Sequence, residues 1–516
     1  MGNTSFAWRW LDLRSTPSRR RAVKLHLFAG YASTLLLVIQ GIVLIPLYVD
    51  YFGERLYGFW LASGGILAWT GMLDVGAASI TMQRCASAYG RGDLRAVAGY
   101  YKHGLLITGF VIVTIAGLVL CTASALPWLL RIDLQYAPQI IDCFYLAGAA
   151  LVIGLLNTFQ SSFAASLQRN GVPLVAQFVG DLLGLGITIF LLHRGCGLWS
   201  LAIGLNVRVL PSLIINNLYA LILFRATRAR VRWSRDIFAD YIQTTPAVLG
   251  AKMTGQLSDQ LPAVLLTVLL GPTATVVYTV SLRMLQIVEQ LSGQLITACS
   301  GAFSHLFATG KSEVSLNNVR DVFAIGFWLA LVGCAVYVFT NGAFVALWMS
   351  PKHYAGTAFS AIAAVAMLMT IWNRWLETLL ASSGGIAESA GVAICERLLR
   401  LPVIYILIST IGLVGVPAAW LVCSAIATPR YLGKLRQRFP AFPLDPAGTS
   451  GRGWIAIPTI FFAAHLTSII TPVTWLSLSA TSAAFTLLIA IGGIMLLPRL
   501  HERLPLRRPR TSRVPM

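Results

Sequence analysis

Thirteen ionisable side chains lie within or at the ends of long apolar stretches of this sequence, and they are the groups best placed to do chemistry. The cations are Arg208, Lys252, Arg283, Arg374, Arg397 and Arg400, and the carboxylates are Asp74, Asp142, Asp181, Asp259, Glu289, Glu377 and Glu396. Buried cations could bind anions, and buried carboxylates could bind a proton or a sodium ion. At about 3 kcal/mol for each charge in lipid, the total would exceed a typical folding stability of ~5–15 kcal/mol. The charges must therefore lie at helix ends, pair with one another, or face a wet cavity.

Five of these residues have a purely structural explanation. Arg374 and Glu377 are three residues apart, which lets them pair along one helix. Glu396 and Arg400 are four apart and can do the same. Asp142 is expected at a helix end.

Other charges need partners or water from neighbouring helices. Counted from the ends of the apolar runs, Asp181 and Arg208 lie near the middle of the membrane on the fifth and sixth runs, where they can pair. Lys252 and Asp259 are seven residues apart and share one face of the seventh run. Asp259 and Arg283 both fall in the outer half of the membrane, so pairing between those two is an alternative.

Motifs for enzyme chemistry are missing from the sequence. Gly310-Lys311-Ser312 is not a nucleotide-binding P-loop, because His305 stands where the first glycine of that motif belongs. The sequence has no His-Glu-x-x-His zinc helix, and its eight cysteines lack the spacing of a zinc or redox site. We therefore expect no catalytic residue, no metal and no cofactor.

The elements that position these charges are long apolar runs. The chain is 57% hydrophobic and only 11% charged, with a mean hydropathy of +0.73, whereas globular domains are about 25% charged. A helix that crosses the ~30 Å hydrocarbon core needs about 20 apolar residues. Fourteen such runs predict an all-α polytopic membrane protein: 25–49, 56–82, 103–129, 139–166, 172–193, 197–224, 242–270, 275–303, 322–349, 355–383, 387–411, 414–429, 453–472 and 474–498.

Basic residues are concentrated in every second connection between the runs. Of 39 Lys and Arg residues, 29 fall in the two tails and these connections, and the alternate connections hold only Arg55, Arg131, Arg194 and Lys352. Cytoplasmic loops of membrane proteins carry such an excess. The pattern predicts that both termini are cytoplasmic. The net charge of +20 therefore indicates a face against inner-membrane lipids, and no nucleic acid partner is expected.

The sequence repeats weakly after six runs, at an offset near 218 residues. Pro46 lies in the outer half of the first run, which ends at Gly53, and Pro262 lies in the outer half of the seventh, which ends at Gly271. Six-helix repeats keep one orientation, which predicts two bundles related by a pseudo-two-fold axis along the membrane normal. A proline removes a helical hydrogen bond and permits a bend, so Pro46 and Pro262 are candidate hinges. The alternative is that membrane helices simply tolerate proline.

The predicted organisation assigns each bundle its own stretch of the chain. Two further helices follow the second bundle. The segments are a basic cytoplasmic tail at 1–24, a six-helix bundle at 25–224, a basic interfacial linker at 225–241, a second six-helix bundle at 242–430, a cytoplasmic loop at 431–452, helices 13 and 14 at 453–498, and a basic cytoplasmic tail at 499–516.

Two stretches resemble the bacterial polysaccharide flippases of the Wzx type. In the first, "IPLYVDYFGERLYGFWLASGGILAWTGMLDVGAASITMQRCASAYGRGD" (45–93), the matching elements are Pro46, Tyr51-Phe52-Gly53, Tyr57-Gly58-Phe59-Trp60, Leu73-Asp74-Val75-Gly76, Arg84 and Gly92-Asp93. In the second, "SDQLPAVLLTVLLGPTATVVYTVSLRM" (258–284), they are Asp259, Leu270-Gly271-Pro272, Tyr278 and Arg283. The resemblance extends over about 25–430. This family shares a superfamily with lipid II flippases and multidrug extruders.

The resemblance implies two bundles around a cavity that opens alternately to each side of the bacterial inner membrane. The cargo would be an undecaprenyl-pyrophosphate-linked oligosaccharide, a repeat unit of O-antigen, capsule or exopolysaccharide. Polymerase and export proteins of the same polysaccharide pathway would be partners. Arginine binds phosphate oxygens in pairs and lysine binds them as a point charge, so the candidate pyrophosphate path is Arg84, Lys252 and Arg283, with Arg208 as a further member. The carboxylates Asp74, Asp259, Glu289 and Asp181 would be ion-coupling sites or counter-charges.

Two other functions fit parts of the pattern. A cation-coupled multidrug extruder would use the same scaffold and would need a compact carboxylate site in one bundle. A membrane glycosyltransferase or polysaccharide polymerase would need a sizeable outward loop with catalytic groups. The outward connections here are only a few residues long, which argues against an enzyme.

Overall fold

The computed structural model describes residues 19–73, 76–167, 169, 171–227, 233–308, 312–438, 456–466 and 474–496. Asp74 lies outside the described residues, and Lys252 lies in a described helix whose side chain at that position is not described. The described residues form helices joined by short turns, and none of them is in a strand. The prediction of an all-α polytopic protein is confirmed.

The chain divides into two compact units, Met1–Thr275 and Val276–Met516. The first unit contains seven helices among its described residues and the start of an eighth. They are α1 (Arg19–Thr70), α2 (Ala77–Gly90), α3 (Leu94–Leu129), α4 (Ala137–Ser166), α5 (Gly171–His193), α6 (Trp199–Ala226), α7 (Arg235–Leu270) and the first turn of α8 (Pro272–Ala308).

The second unit contains the rest of α8 and the remaining helices. They are α9 (Ser312–Trp348), α10 (Thr357–Ser382), α11 (Ile386–Ile411), α12 (Gly415–Arg438), α13 (Ala456–Leu466) and α14 (Trp475–Leu496). Each of the fourteen apolar runs overlaps helix among the described residues, although the run 56–82 is divided between the end of α1 and the start of α2. Seven of the described helical stretches are long and apolar enough to cross a bilayer.

The helices α3 and α7 begin well before their apolar runs because polar caps lie upstream. Asp93 accepts hydrogen bonds from the backbone N–H groups of Arg95 and Ala96, at 3.1 and 2.9 Å, and so begins α3. The hydroxyl of Ser234 accepts from the N–H of Ile237 at 3.4 Å and begins α7. Side-chain caps of this kind satisfy N–H groups that have no partner within the helix. Residues 235–241, at the end of the predicted linker, are consequently the first turns of α7.

Glycines mark the helix breaks at the offset that the sequence repeat indicates. Gly53 interrupts α1 with φ 76° and ψ 158°, and Gly271 separates α7 from α8 with φ 94° and ψ 163°. Residues with a Cβ atom almost never adopt this combination of φ and ψ, whereas glycine adopts it readily. Gly195 and Gly412, which follow α5 and α11, also have positive φ angles of 76° and 65°. The local backbone thus repeats at matching places in the chain.

In the first unit, the second half of α1 packs closely on α7 and on the start of α8. A Cβ atom at Gly58 would overlap the carbonyl group of Pro272. One at Gly65 would lie 3.1 Å from Val264 and 3.3 Å from the carbonyl oxygen of Gln260. A buried apolar core that includes residues of α1, α3, α4 and α7 surrounds this contact.

In the second unit, α10 is the central helix. It packs against α9, α11, α12 and α13. Trp375 of α10 is buried and lies 5.0 Å from the ring of Phe323 on α9. Gly326 leaves room for that tryptophan, because a Cβ there would overlap its ring. The helix that carries Arg374 and Glu377 is therefore tightly packed against its neighbours.

Candidate functional site

A buried ion pair joins α5 and α6 in the first unit. Nε of Arg208 lies 2.5 Å from Oδ1 of Asp181, whose side chain is 1% exposed. Glycines allow the close approach: Cβ atoms at Gly180 and Gly184 would collide with the backbone carbonyl and the side chain of Arg208, respectively. Gln40 of α1 also donates to the backbone carbonyl of Asp181 at 3.0 Å. The pairing allowed by the sequence is thus formed, and it engages one candidate of the pyrophosphate path.

Amide side chains, which the sequence analysis missed, connect α4 to α6. Asn216 donates to Oδ1 of Asn157 at 2.7 Å, and Asn157 donates to Ser212 at 3.1 Å. Gln160 donates to Oδ1 of Asn217 at 2.7 Å. Hydrogen bonds of this kind hold membrane helices together. The signal in the sequence is the presence of amides at positions 157, 160, 216 and 217 inside otherwise apolar runs.

Arg84, the first member of the candidate path, is paired with a residue that the sequence analysis placed in a linker. Nη2 of Arg84 on α2 lies 2.5 Å from Oδ1 of Asp240, in the second turn of α7. The hydroxyl of Tyr100 on α3 donates to the other carboxylate oxygen at 3.2 Å. The Arg84 side chain is 44% exposed and that of Asp240 is 25% exposed, so both remain accessible.

A second tyrosine completes this group. The hydroxyl of Tyr241 donates to the carbonyl oxygen of Tyr100 at 3.0 Å and lies 2.6 Å from the hydroxyl of Thr81. A carbonyl only accepts, so the Tyr241 proton points to Tyr100 and Thr81 donates to Tyr241. Thr81, Arg84, Tyr100, Asp240 and Tyr241 are hereafter the Asp240 cluster. It joins the beginning of α7 to α2 and α3.

Charges in the second unit also pair between helices. Nη2 of Arg374 on α10 lies 2.8 Å from Oε1 of Glu289 on α8. Arg374 therefore forms an ion pair with a carboxylate on a neighbouring helix, which its three-residue spacing from Glu377 did not predict. Arg400 and Glu396 form the expected local pair at 2.8 Å. Ser424 of α12 adds a hydrogen bond to the same Glu396 oxygen at 2.9 Å.

The remaining predicted site residues are spread over both units. Arg283 on α8 is half-buried, and its Nη1 donates to Gln286 at 3.4 Å. Asp259 is exposed on α7 and belongs to the first unit, whereas Arg283 belongs to the second. Pro46 and Pro262 lie inside α1 and α7. Among the described residues, no group of His, Cys, Asp and Glu is arranged to hold a metal ion.

The helix arrangement is similar to that of solved membrane transporters. A structure of the lipid II flippase MurJ in an inward closed conformation matches with a TM-score of 0.68 and 11% identity, over 92% of this chain and 99% of that one. An inward-facing multidrug resistance MATE transporter of the MOP superfamily matches with a TM-score of 0.59 and 15% identity, over 79% of this chain and 95% of that one. The chain has the fold of the MOP superfamily transporters. A MOP superfamily transporter from Pyrococcus furiosus also matches, with a TM-score of 0.53 and 16% identity over 82% of this chain and 93% of that one.

A family comparison adds a biological process to the MOP fold. Residues 105–309 match the family described as "Polysaccharide biosynthesis protein". No curated protein matches the sequence. The predicted resemblance to polysaccharide biosynthesis proteins with this fold is confirmed by the family match, which includes the second of the two sequence stretches (258–284), and by the MOP fold. The chain is thus similar to membrane transporters in fold and, over residues 105–309, to polysaccharide biosynthesis proteins in sequence.

Proposed function

We propose that this chain moves an undecaprenyl-pyrophosphate-linked oligosaccharide from the inner to the outer leaflet of the bacterial inner membrane, for O-antigen, capsule or exopolysaccharide synthesis. The observation that carries the proposal is the combination of a polysaccharide biosynthesis match with a fold shared over 92% of the chain with a lipid II flippase. The two helices that follow α12 extend the chain beyond a twelve-helix core, as a lipid-linked cargo would favour. Both termini are proposed to be cytoplasmic, as the distribution of Lys and Arg indicates.

The proposed mechanism is alternating access with the headgroup in a polar cavity and the lipid tail in the bilayer. Arg84, Lys252 and Arg283 would bind the pyrophosphate, with Arg208 as a further member. Arg208 would reach the cargo only after leaving Asp181, so Asp181 acts first as its counter-charge. Bending at Pro46 and Pro262 would accompany the change of access.

The remaining carboxylates have proposed roles as counter-charges or ion sites. Glu289 lies against Arg374 and supports the first of these roles. For Asp74 and Asp259, both roles, counter-charge and ion site, remain proposed. Polymerase and export proteins of the same polysaccharide pathway would receive the product.

The test is a deletion strain that carries plasmid-borne variants. Deletion should abolish surface polysaccharide, and the wild-type chain should restore it. Arg84→Ala should restore much less, because the pyrophosphate loses its first cation. Arg95→Ala provides the matched control, since Arg95 is an exposed arginine in the first turn of α3 at the same end of the helices. A deletion strain with normal surface polysaccharide would contradict the proposal.

A cation-coupled multidrug extruder is the second candidate. The likeness to a MATE transporter over 79% of this chain favours it. It predicts that the deletion strain becomes sensitive to cationic drugs while its polysaccharide stays normal. Measuring drug sensitivity and surface polysaccharide in the same strain separates the two functions.

A further inference from the structure

Asp240 occupies a site built from two hydrogen-bond donors. Arg84 lies 2.5 Å from one carboxylate oxygen, and the Tyr100 hydroxyl donates to the other at 3.2 Å. A positive guanidinium beside a neutral hydroxyl donor is an arrangement that binds an oxyanion. Phosphate oxygens meet the same requirements, and arginine binds them strongly because two of its N–H groups can engage them together.

The carboxylate that fills this site also anchors the start of α7. Tyr241, the next residue, is buried and bonded to α2 and α3 through Thr81 and the Tyr100 carbonyl. Two glycines of α3 make room for the start of α7: a Cβ at Gly99 would lie 2.8 Å from Ile237, and one at Gly104 would lie 2.6 Å from the Tyr241 hydroxyl. An anion that replaced Asp240 at Arg84 would therefore remove one attachment of this helix end.

The two residues just before α7 also contact α3. The backbone N–H of Ser234 donates to Nε2 of His103 at 3.1 Å, and the ring of Trp233 lies 4.7 Å from the histidine ring. Nδ1 of His103 lies 2.8 Å from the Gly99 carbonyl, to which it donates. These contacts hold the start of α7 independently of Asp240. Exchange at Arg84 would thus release one attachment without detaching the segment.

The Arg84–Asp240 ion pair is accessible to solvent, so a phosphate can reach Arg84 and replace Asp240. The two side chains are 44% and 25% exposed, so water screens the ion pair and its net contribution is small. A doubly charged pyrophosphate can displace a single carboxylate from such a pair. The buried Asp181–Arg208 pair is a poorer place for exchange, because the carboxylate there is 1% exposed.

We propose that Asp240 competes with the cargo pyrophosphate for Arg84, so that headgroup binding breaks the Asp240–Arg84 attachment of α7 to α2 and loosens the start of α7. The inference rests on the proposed function and adds the trigger for the conformational change. Asp240 is an internal substitute for the phosphate when no cargo is present. Tyr100 donates to whichever anion is bound.

The first experiment measures binding of undecaprenyl pyrophosphate to the full-length protein in nanodiscs. Asp240→Asn should bind it about threefold more tightly than the wild type, which is the effect of removing a competitor held by a weak exposed ion pair. Arg84→Ala should bind it more weakly. In the Arg84→Ala/Asp240→Asn double variant the gain should vanish, because there is no cation left to compete for.

A matched control and three outcomes make this test decisive. Asp236→Asn removes an exposed carboxylate from the first turn of α7 and should bind like the wild type. Equal or weaker binding by Asp240→Asn, or a gain that persists without Arg84, would overturn the competition. A wild-type chain that does not bind undecaprenyl pyrophosphate at all would instead overturn the proposed function.

The second experiment needs no variant and so does not depend on the folding of one. Hydrogen–deuterium exchange is measured on the wild type with undecaprenyl pyrophosphate, with undecaprenol, and with added phosphatidylglycerol. The cargo anion should speed exchange in 235–245, and the neutral lipid should not. Unchanged or slower exchange with bound cargo would overturn the release, and an equal effect of phosphatidylglycerol would overturn the assignment of the trigger to pyrophosphate.

Discussion

At the scale of single residues, burial determines what each charge can do. Asp181 and Arg208 form a pair in which the carboxylate is almost completely enclosed. Arg55 and Asp133 form a pair of similar length, 2.8 Å, with side chains 58% and 31% exposed. Removing one partner of a buried pair leaves a charge without compensation, whereas an exposed charge is solvated by water.

We therefore expect Asp181→Ala to destabilise the protein much more than Asp133→Ala. The buried change should lower the free energy of unfolding by about 3 kcal/mol and the exposed one by less than about 1 kcal/mol. Thermal unfolding of the purified variants in detergent measures the difference. Similar midpoints for the two variants would contradict the structural role of the Asp181–Arg208 pair.

At the scale of elements, glycines decide which helices touch. On the second half of α1, Gly58 faces the carbonyl of Pro272, whereas nothing lies within 4 Å of a Cβ built at Gly64. Alanine favours a helix over glycine by roughly 0.5–1 kcal/mol. Alanine at Gly64 therefore tests intrinsic helix preference alone, whereas alanine at Gly58 also tests the packing of α1 against Pro272.

Gly58→Ala should separate α1 from the α7–α8 junction, and Gly64→Ala should be neutral or slightly stabilising. The carbonyl at Pro272 belongs to the backbone and cannot turn aside, so the Gly58 variant should lose several degrees of thermal stability and most complementation of the deletion strain. Melting temperature and surface polysaccharide are measured for both variants. A Gly58→Ala protein as stable and active as the Gly64→Ala protein would rule out the tight contact.

The break in α1 depends on backbone conformation alone. A Cβ at Gly53 would have nothing within 4 Å, but φ is 76° and ψ is 158°. Gly53→Ala should therefore cost about 1–3 kcal/mol through strain, without any clash. A melting temperature equal to that of the wild type would show that the helix does not need this conformation.

At the scale of the whole molecule, the distribution of Lys and Arg predicts the orientation. Green fluorescent protein fused after Met516 should fluoresce, because it folds in the cytoplasm. Alkaline phosphatase should be active when fused after Lys352, in the turn between α9 and α10, and inactive when fused after Gly92, between α2 and α3. The reverse pattern of activities would invert the proposed topology and move the Asp240 cluster away from the cytoplasmic face.

Hydropathy was sufficient to place helix in each apolar run among the described residues, because a bilayer demands about 20 consecutive apolar residues whatever the neighbours are. It did not separate α2 (Ala77–Gly90) from the end of α1. Local geometry was also sufficient for Glu396 and Arg400, since residues four apart on a helix face each other. The helix starts at Leu94 and Arg235 were missed, because Asp93 and Ser234 cap them outside the apolar runs.

The partners of the other charges depended on which helices lie side by side. Arg374 is spaced to pair with Glu377 on its own helix, yet it forms an ion pair with Glu289 on α8. Arg84 meets Asp240, 156 residues away, because α7 begins early and seats its first turns against α2 and α3. The sequence by itself determined the helices and the charges they carry within the membrane. Only the tertiary structure decided which opposite charges on different helices meet, because ion pairs form over a few ångströms and helix packing sets those distances.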